Sequence, residues 1–459
     1  MLQTHQLSAK AYKVTDYVRP NFLVLIFTFL ITGSFVAAQN SASITLVTYL
    51  ESKLAKSEEA SKYAQLKASI ETVLRHHFQE KENSEKRSPW GVMHAMVAFG
   101  PHAEMYGDGK IVKDVDWLCD NEACRGMKLL KKDKGRLGTN NGPGRQGHDG
   151  QFLAILAQSQ IEKERKLIVD GTEFSIEDLI QYEMSTCRAN EELTFKLIGL
   201  SHYIDSDQIW KSNDQQTWNL ERVIKEELRQ SVIGAACGGT HRLMGFSYAL
   251  LMRRLQNKPI TGDWKRAEAF VREFRNYSFK LQNHDGSFST RWFEGRGMRK
   301  DIQRRVQTTG HILEWLVFSA EESELSDPRL VKAVDYLSSL MVNNRKTKWE
   351  IGPKGHAVRA LRLFYEKVLL QPATSMASSN QSKNYLADPR ISQSSLEADV
   401  HVNETSVEQP ESSKKRTPSI VKHVKTASRK TGGTPDSKSV SESPRITADD
   451  LPELPLLIR

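Results

Sequence analysis

Apolar residues recur along the middle of this chain in two alternating patterns. From Ala60 to Phe78, the residues Tyr63, Leu66, Ile70, Val73, Leu74 and Phe78 fall near a 3.6-residue period, which predicts an amphipathic helix. The segment after it, Trp90 to Phe99, is apolar on nearly every side. The alternation then repeats five times. Ile111–Leu118 precedes His148–Gln158, Ser175–Cys187 precedes Glu191–Tyr203, and Trp218–Val232 precedes Thr240–Leu255. Asp263–Leu281 precedes Thr308–Ala320, and Asp327–Met341 precedes His356–Leu369. Most first members carry Glu, Lys and Arg on one face. Second members carry runs such as Phe152-Leu153-Ala154-Ile155-Leu156-Ala157 and Ile312-Leu313-Glu314-Trp315-Leu316-Val317-Phe318. A helix apolar nearly all round is a buried helix. The pattern therefore predicts an all-α body of stacked helical hairpins, with second members as an inner ring and first members as an outer ring. Local signals agree. Ser175 is suited to cap a helix with Asp178 at its third position, and Ser326 with Pro328 opens the sixth pair.

The two ends break the pattern. Residues 21–38 form an apolar run preceded by Lys10, Lys13 and Arg19 and closed by Val36-Ala37-Ala38, the layout of a secretory signal. Residues 1–38 are therefore read as a signal peptide, with an uncleaved N-terminal anchor as the alternative. The expected location is exported, periplasmic or at the cell envelope, with membrane contact only through this segment. From residue 371 onward Ser, Thr, Pro, Lys and Asn dominate and aromatics almost vanish. Such a composition buries too little surface to offset chain ordering, so 371–459 is expected to be a disordered tail. The body is 39–370.

Charge changes this picture little. The tail holds 12 Lys or Arg and 11 Asp or Glu, so most of the net charge of +9 belongs to the body. No basic stripe interleaved with aromatics occurs, and nucleic-acid binding is not expected. Of the four cysteines, Cys119 and Cys124 are spaced to close a small disulfide loop, which export would permit.

One stretch carries a sharper signature. Phe279-Lys280-Leu281-Gln282-Asn283-His284-Asp285-Gly286-Ser287-Phe288 resembles the Gln-x-x-Asp-Gly-Ser-Trp/Phe repeat of squalene cyclases. The toroid fold of that family is shared by protein prenyltransferases. The chain is similar to this terpenoid cyclase and prenyltransferase superfamily in a secreted, planctomycete-type form. Over roughly residues 60–370 the resemblance implies an (α/α)6 toroid of six helical hairpins. Activity does not carry over. Asp114-Val115-Asp116-Trp117 lacks the last carboxylate of the cyclases' Asp-x-Asp-Asp acid, and Cys237 and His241 do not stand at the prenyltransferase zinc spacing.

Candidate chemistry gathers at the starts of second members. Gly or Thr-Gly stands before His148, His241, His311 and His356, and a looser copy, Trp90-Gly91-Val92-Met93, precedes His94. In a ring these starts meet at one mouth, where imidazoles could bind metal, move protons or hold an anion beside helix N-termini. The alternative is packing residues that bond the preceding turn. His241, His311, Glu192 and Asp149 are the catalytic candidates, with the two carboxylates suited to glycosidic chemistry. His94, His148, Arg242, Trp292, Arg305 and His356 are the ligand-binding candidates. Cys237 and His241, four apart, are the metal candidates, although Gly238-Gly239 suggests a turn between them. The glycine-rich loop 134–147 lacks a P-loop's Gly-Lys-Ser/Thr and is read as a rim loop, with Arg136 and Arg145 as candidate anion holders. No cofactor is named by the sequence. Two functions remain open: an enzyme acting on an isoprenoid or polysaccharide held in a central cavity, and a non-catalytic binding or scaffold protein of the cell envelope.

Overall fold

The computed structural model describes residues 60–369. The signal or anchor segment 1–38 and the tail 371–459 lie outside them. The chain divides into two compact units, 1–65 and 66–459, and the second carries the fold. Twelve helices dominate the described residues.

Helix α1 runs to residue 79 and buries Leu66, Ile70 and Val73. After it come α2 (Pro89–Phe99), α3 (Asp114–Cys119), α4 (Gln151–Gln158) and α5 (Ile176–Ser185). Then follow α6 (Thr194–Tyr203), α7 (Leu220–Leu228), α8 (Thr240–Leu255) and α9 (Gly262–Leu281). The last three are α10 (Ile302–Ser319), α11 (Pro328–Asn343) and α12 (Ile351–Phe364). The even-numbered helices form the core. Residues 152–157 of α4 and 306–318 of α10, excepting Gln307, are buried, as a helix without a polar face must be. Each of them packs on the next: α2 on α4, α4 on α6, α6 on α8, α8 on α10, α10 on α12, and α12 on α2. The odd-numbered helices keep one polar face, except the short α3, which is buried at every residue but Asp116. In α7, Val223 and Ile224 are buried while Arg222 and Lys225 are not.

Local chemistry sets the ends. Ser175 and Asp178 form the full capping box at the start of α5. Asp327, rather than Ser326, caps α11, with Pro328 in its first turn. The Gln-x-x-Asp-Gly-Ser-Phe stretch ties three helices together. Gln282 donates to the carbonyls of Gly286 and Arg329, both at 2.9 Å, and Asp285 accepts from Ser287 Oγ at 2.7 Å. The backbone N–H of Phe288 donates to Thr309 Oγ1 at 3.2 Å, and its ring is fully buried.

Three expectations are corrected. The body is not wholly helical. Strands β1 (Glu82–Asn83), β2 (Glu104–Gly107) and β3 (Lys110–Lys113) form a three-stranded sheet. Separate hairpins pair β4 (Leu130–Asp133) with β5 (Arg136–Thr139), β6 (Lys166–Val169) with β7 (Thr172–Ser175), and β8 (Trp210–Lys211) with β9 (Thr217–Trp218). Asp108-Gly109, Lys134-Gly135 and Asp170-Gly171 make two-residue turns with both φ positive, between 49° and 78°. Such turns match strand twist, and Asp-Gly is a strong hairpin signal that the helical periodicity obscured. The glycine-rich rim loop is thus partly the β4–β5 hairpin, with Arg136 exposed on it. Second, Cys119 and Cys124 are free, as are Cys187 and Cys237. Burial pushes the Cys119 and Cys124 thiols up to about 12. Third, α10 begins at Ile302, well before the expected Thr308.

Candidate functional site

Cross-helix packing, more than helix starts, brings the histidines together. His148 precedes α4 and His241 is the second residue of α8, but His94, His311 and His356 lie inside α2, α10 and α12. The glycines before them serve close approach. A Cβ on Gly310 would sit 2.9 Å from Ala357 Cα on α12, and one on Gly355 would sit 2.3 Å from the His94 carbonyl. Without those Cβ atoms α10, α12 and α2 close up, and the imidazoles of His311 and His356 stand 3.9 Å apart between ring centres. His241 lies 5.6 Å from His311 and 5.2 Å from His356. His94 lies 5.5 Å from His356, and His148 lies 6.0 Å from His241.

Their hydrogen bonds follow a rule with one exception. His94 and His311 donate through Nδ1 to the carbonyls of Trp90 and Gln307, each at 2.7 Å. His356 donates through Nδ1 to Glu314 and His148 to Glu192, each at 2.6 Å. In the neutral rings of His94 and His311 this leaves the Nε2 lone pair as the acceptor. His241 has a partner on neither nitrogen, and both nitrogens are buried although part of its ring remains accessible. Burial, and then the neighbouring imidazoles, hold His241 well below the usual histidine range. Burial and His356 do the same for His311 and for His94, which falls to about 3. These rings are neutral at physiological pH and ligand-ready.

The cavity between them is small. His94, His241, His311, His356, Glu314 and Phe195 are among its walls, and the space open to the centre of a water molecule is about 20 Å³. A single water needs about 10–15 Å³ on that measure, so the cavity takes a water or an ion and little more. Cys237 stands at its edge. The Cys237 thiol and one nitrogen each of His241 and His311 all lie within 4.8 Å of one another. Burial, and then the charges of Glu314 and Glu192, push that thiol up to about 11. Cys237, Gly238 and Gly239 take left-handed backbone in succession, with φ of 51°, 65° and 74°. A Cβ at Gly238 would lie 2.3 Å from the Trp292 ring, so only glycine lets the indole seat there.

The remaining candidates separate. Trp292 joins the site, 5.6 Å from His311 between ring centres. His148 and Glu192 form a pair at the outer edge. Asp149 is exposed and accepts a hydrogen bond from Asn141, so it does not face the cavity. Arg242 points the other way. It is buried against Glu227 at 2.9 Å and also donates to Gln230 at 2.9 Å and to the Ser231 carbonyl. Arg305 pairs with Asp285 and lies over the Tyr336 ring, where it holds the α9–α10 connection. Sequence reasoning missed Glu314. It is buried in the cavity wall between His356 and Arg359, each at 2.6 Å. Burial would raise it, but His356 and Arg359 beside it hold it down at about 2. The available signal was a lone carboxylate inside the apolar run 312–318. Gln151 and Gln158, also wall residues, gave no such signal.

Compared with protein families, with curated proteins and with solved structures, the chain matches none. Among the described residues, no helix is long and apolar enough to cross a membrane.

Proposed function

We propose that this is an exported (α/α)6 toroid, similar to the terpenoid cyclase and prenyltransferase superfamily, whose centre binds one transition-metal ion. The even-numbered helices would be the closed inner ring, which the cyclic packing of α2, α4, α6, α8, α10 and α12 supports. Cys237, His241 and His311 are the ligands. The observation that carries the reading is their mutual approach within 4.8 Å around an imidazole with no partner on either nitrogen. A thiolate with two neutral imidazoles suits zinc, a borderline-soft ion. Metal-bound histidines commonly donate their other N–H to a carbonyl or carboxylate, as His311 does here. A bound cation would also lower the thiol's proton affinity, against the burial that now raises it.

Three protein ligands leave one position for water or a ligand group, the arrangement of catalytic zinc. The cavity's size disfavours an isoprenoid chain or a sugar ring lying inside it. A larger substrate would present one polar end at the mouth. The same filling by side chains supports a second reading, a non-catalytic scaffold of the cell envelope. Elemental analysis of the purified full chain separates the two. About one zinc-class ion per chain is expected in the wild type, and none in Cys237→Ser or His241→Ala, with folding retained. Absence of metal together with a failure to take up added zinc would overturn the metal reading and leave the scaffold.

A further inference from the structure

A second group of ligating side chains stands apart from the central site, at the C-terminal end of α1. His76 and His77 lie in the last turn of that helix, and Glu80 follows it directly. Spacings of four and three residues put the Glu80 carboxylate beside both rings. Glu80 Oε1 lies 3.5 Å from His76 Nε2, and Glu80 Oε2 lies 3.2 Å from His77 Nδ1. One nitrogen of each ring and a carboxylate oxygen all fall within 4.8 Å of one another. The rings are held in place before any ion arrives. His77 is buried, and His76 donates through Nε2 to the carbonyl of Arg345, just beyond α11, at 3.0 Å.

The surroundings favour a cation. Glu82 pairs with Lys354 at 2.7 Å and with Arg87, and Glu104 pairs with Lys81 at 2.8 Å. Among the described residues, no lysine or arginine pairs with Glu80, whose partners are the two imidazoles. Burial, and then Lys354 and His76, hold His77 down at about 3, so its ring is neutral at physiological pH and leaves the Glu80 charge in place. The C-terminal end of a helix dipole adds negative potential here. A cavity adjoins the group. Its walls include His77, Glu80, Glu82, Glu104, Lys354 and His94, and the space open to the centre of a water molecule is about 20 Å³. That admits a water or an ion. His94 is a wall of this cavity and of the central one, but the two groups of ligating side chains share no residue.

We infer that His76, His77 and Glu80 form a second metal site, which takes one divalent ion of the zinc class with water completing its shell. Two imidazoles and one carboxylate with an open fourth position are a zinc donor set, and imidazole selects zinc over magnesium. The site does not depend on the central one and differs from it in having no thiolate. Glu80 is half-exposed, so the ion exchanges with solvent and is lost on dialysis. Added metal, rather than the metal that survives purification, reads this site.

Calorimetric titration of the metal-stripped full chain with zinc chloride at neutral pH tests this. A Cys237→Ser/His241→Ala background silences the central site. Saturable binding of about one zinc per chain is expected there, with at least about a tenfold weaker affinity once Glu80→Gln or His76→Gln is added. Both side chains are partly exposed, so neither added change should lower the melting temperature without metal. Glu85→Gln, exposed after β1, should bind as its parent does. No saturable zinc binding, an affinity unchanged by both Glu80→Gln and His76→Gln, or equal affinity for magnesium would each overturn the site. Cobalt keeps the two centres apart in the otherwise wild-type chain. A thiolate-to-cobalt absorption band belongs to Cys237, and it should survive Glu80→Gln and vanish in Cys237→Ser. No such band, with zinc still bound in the silenced background, would reject the central metal alone. The band without zinc binding in that background would reject the second site alone.

Discussion

His241 and Arg242 are neighbours at the start of α8, and they differ completely in how they are satisfied. Arg242 faces outward from the core into a closed network. Its nitrogens bond Glu227, Gln230 and Ser231, while Glu227 also accepts from the Leu193 N–H and the Thr194 hydroxyl. His241 faces the cavity, and neither nitrogen has a partner. A buried polar group without a partner is costly, and this one lines a cavity beside a thiol and a second imidazole. The network around Arg242 holds the scaffold, and the open donors around His241 are where chemistry is proposed.

The largest expected effect tests the closed side. Arg242→Met should leave Glu227 as an uncompensated buried charge and cost about 3–5 kcal/mol, a fall of roughly ten degrees in melting temperature. Thermal unfolding followed by circular dichroism reads this. A loss below about 1 kcal/mol would mean that the network is not structural.

Asp114 is the control for an orphan outside the cavity. Both its carboxylate oxygens are buried without partners, and burial, then Glu82 and Glu104, raise it to about 8. The folded state keeps a proton that the unfolded chain releases above about pH 4. Its contribution is complete below that pH and is lost as pH rises towards 8. Asp114→Asn should flatten this loss and stabilise the protein by on the order of 2 kcal/mol at pH 8, with little gain at pH 4. Denaturant titrations at the two pH values would show it, and an equal effect at both would argue against a raised carboxyl.

The third test concerns acid. His94 is held at about 3 by burial and His356, so the unfolded state takes up its proton first as pH falls below 6.5. Stability should then drop by about 1.4 kcal/mol per pH unit for this one imidazole, down to about pH 4. In His94→Gln the slope between pH 6.5 and 5 should be shallower by that amount. Glu314 does not confound this window, because its contribution is lost only as pH falls from the ordinary carboxylate range towards about 2. Identical slopes in the two proteins would remove His94 from the neutral set.

The smallest stability effect is expected at the open side. His241→Ala breaks no hydrogen bond and should cost only about 1 kcal/mol, through lost packing, while abolishing metal uptake. A large destabilisation with no change in metal would reverse the comparison and make His241 a packing residue.

Much of this was legible in the chain. The 3.6-residue period located the helices, and the uniformly apolar second members identified those that had to be buried, because a helix without a polar face cannot face water. Gly-His at one topological place singled out His94, His148, His241, His311 and His356, which the structure brings together. The hairpins at Asp108-Gly109 and Asp170-Gly171 were also written in the chain, though helix periodicity hid them.

Direction was not legible. Sequence spacing put Arg242 and Asp149 beside the same cavity as His241, but rotation about a helix axis and one turn of loop point them elsewhere. Glu314 looked like a stray charge in an apolar run until His356 and Arg359, 42 and 45 residues away in the chain, closed on it. The glycines before His311 and His356 were expected at helix starts, yet they lie inside α10 and α12, where a neighbouring helix leaves no room for a Cβ. What the chain determined by itself was which surfaces must be buried, since burial follows from local composition and period. Which polar atoms find partners was decided only in three dimensions, because a hydrogen bond is satisfied by whatever distant backbone or side chain packing delivers to it.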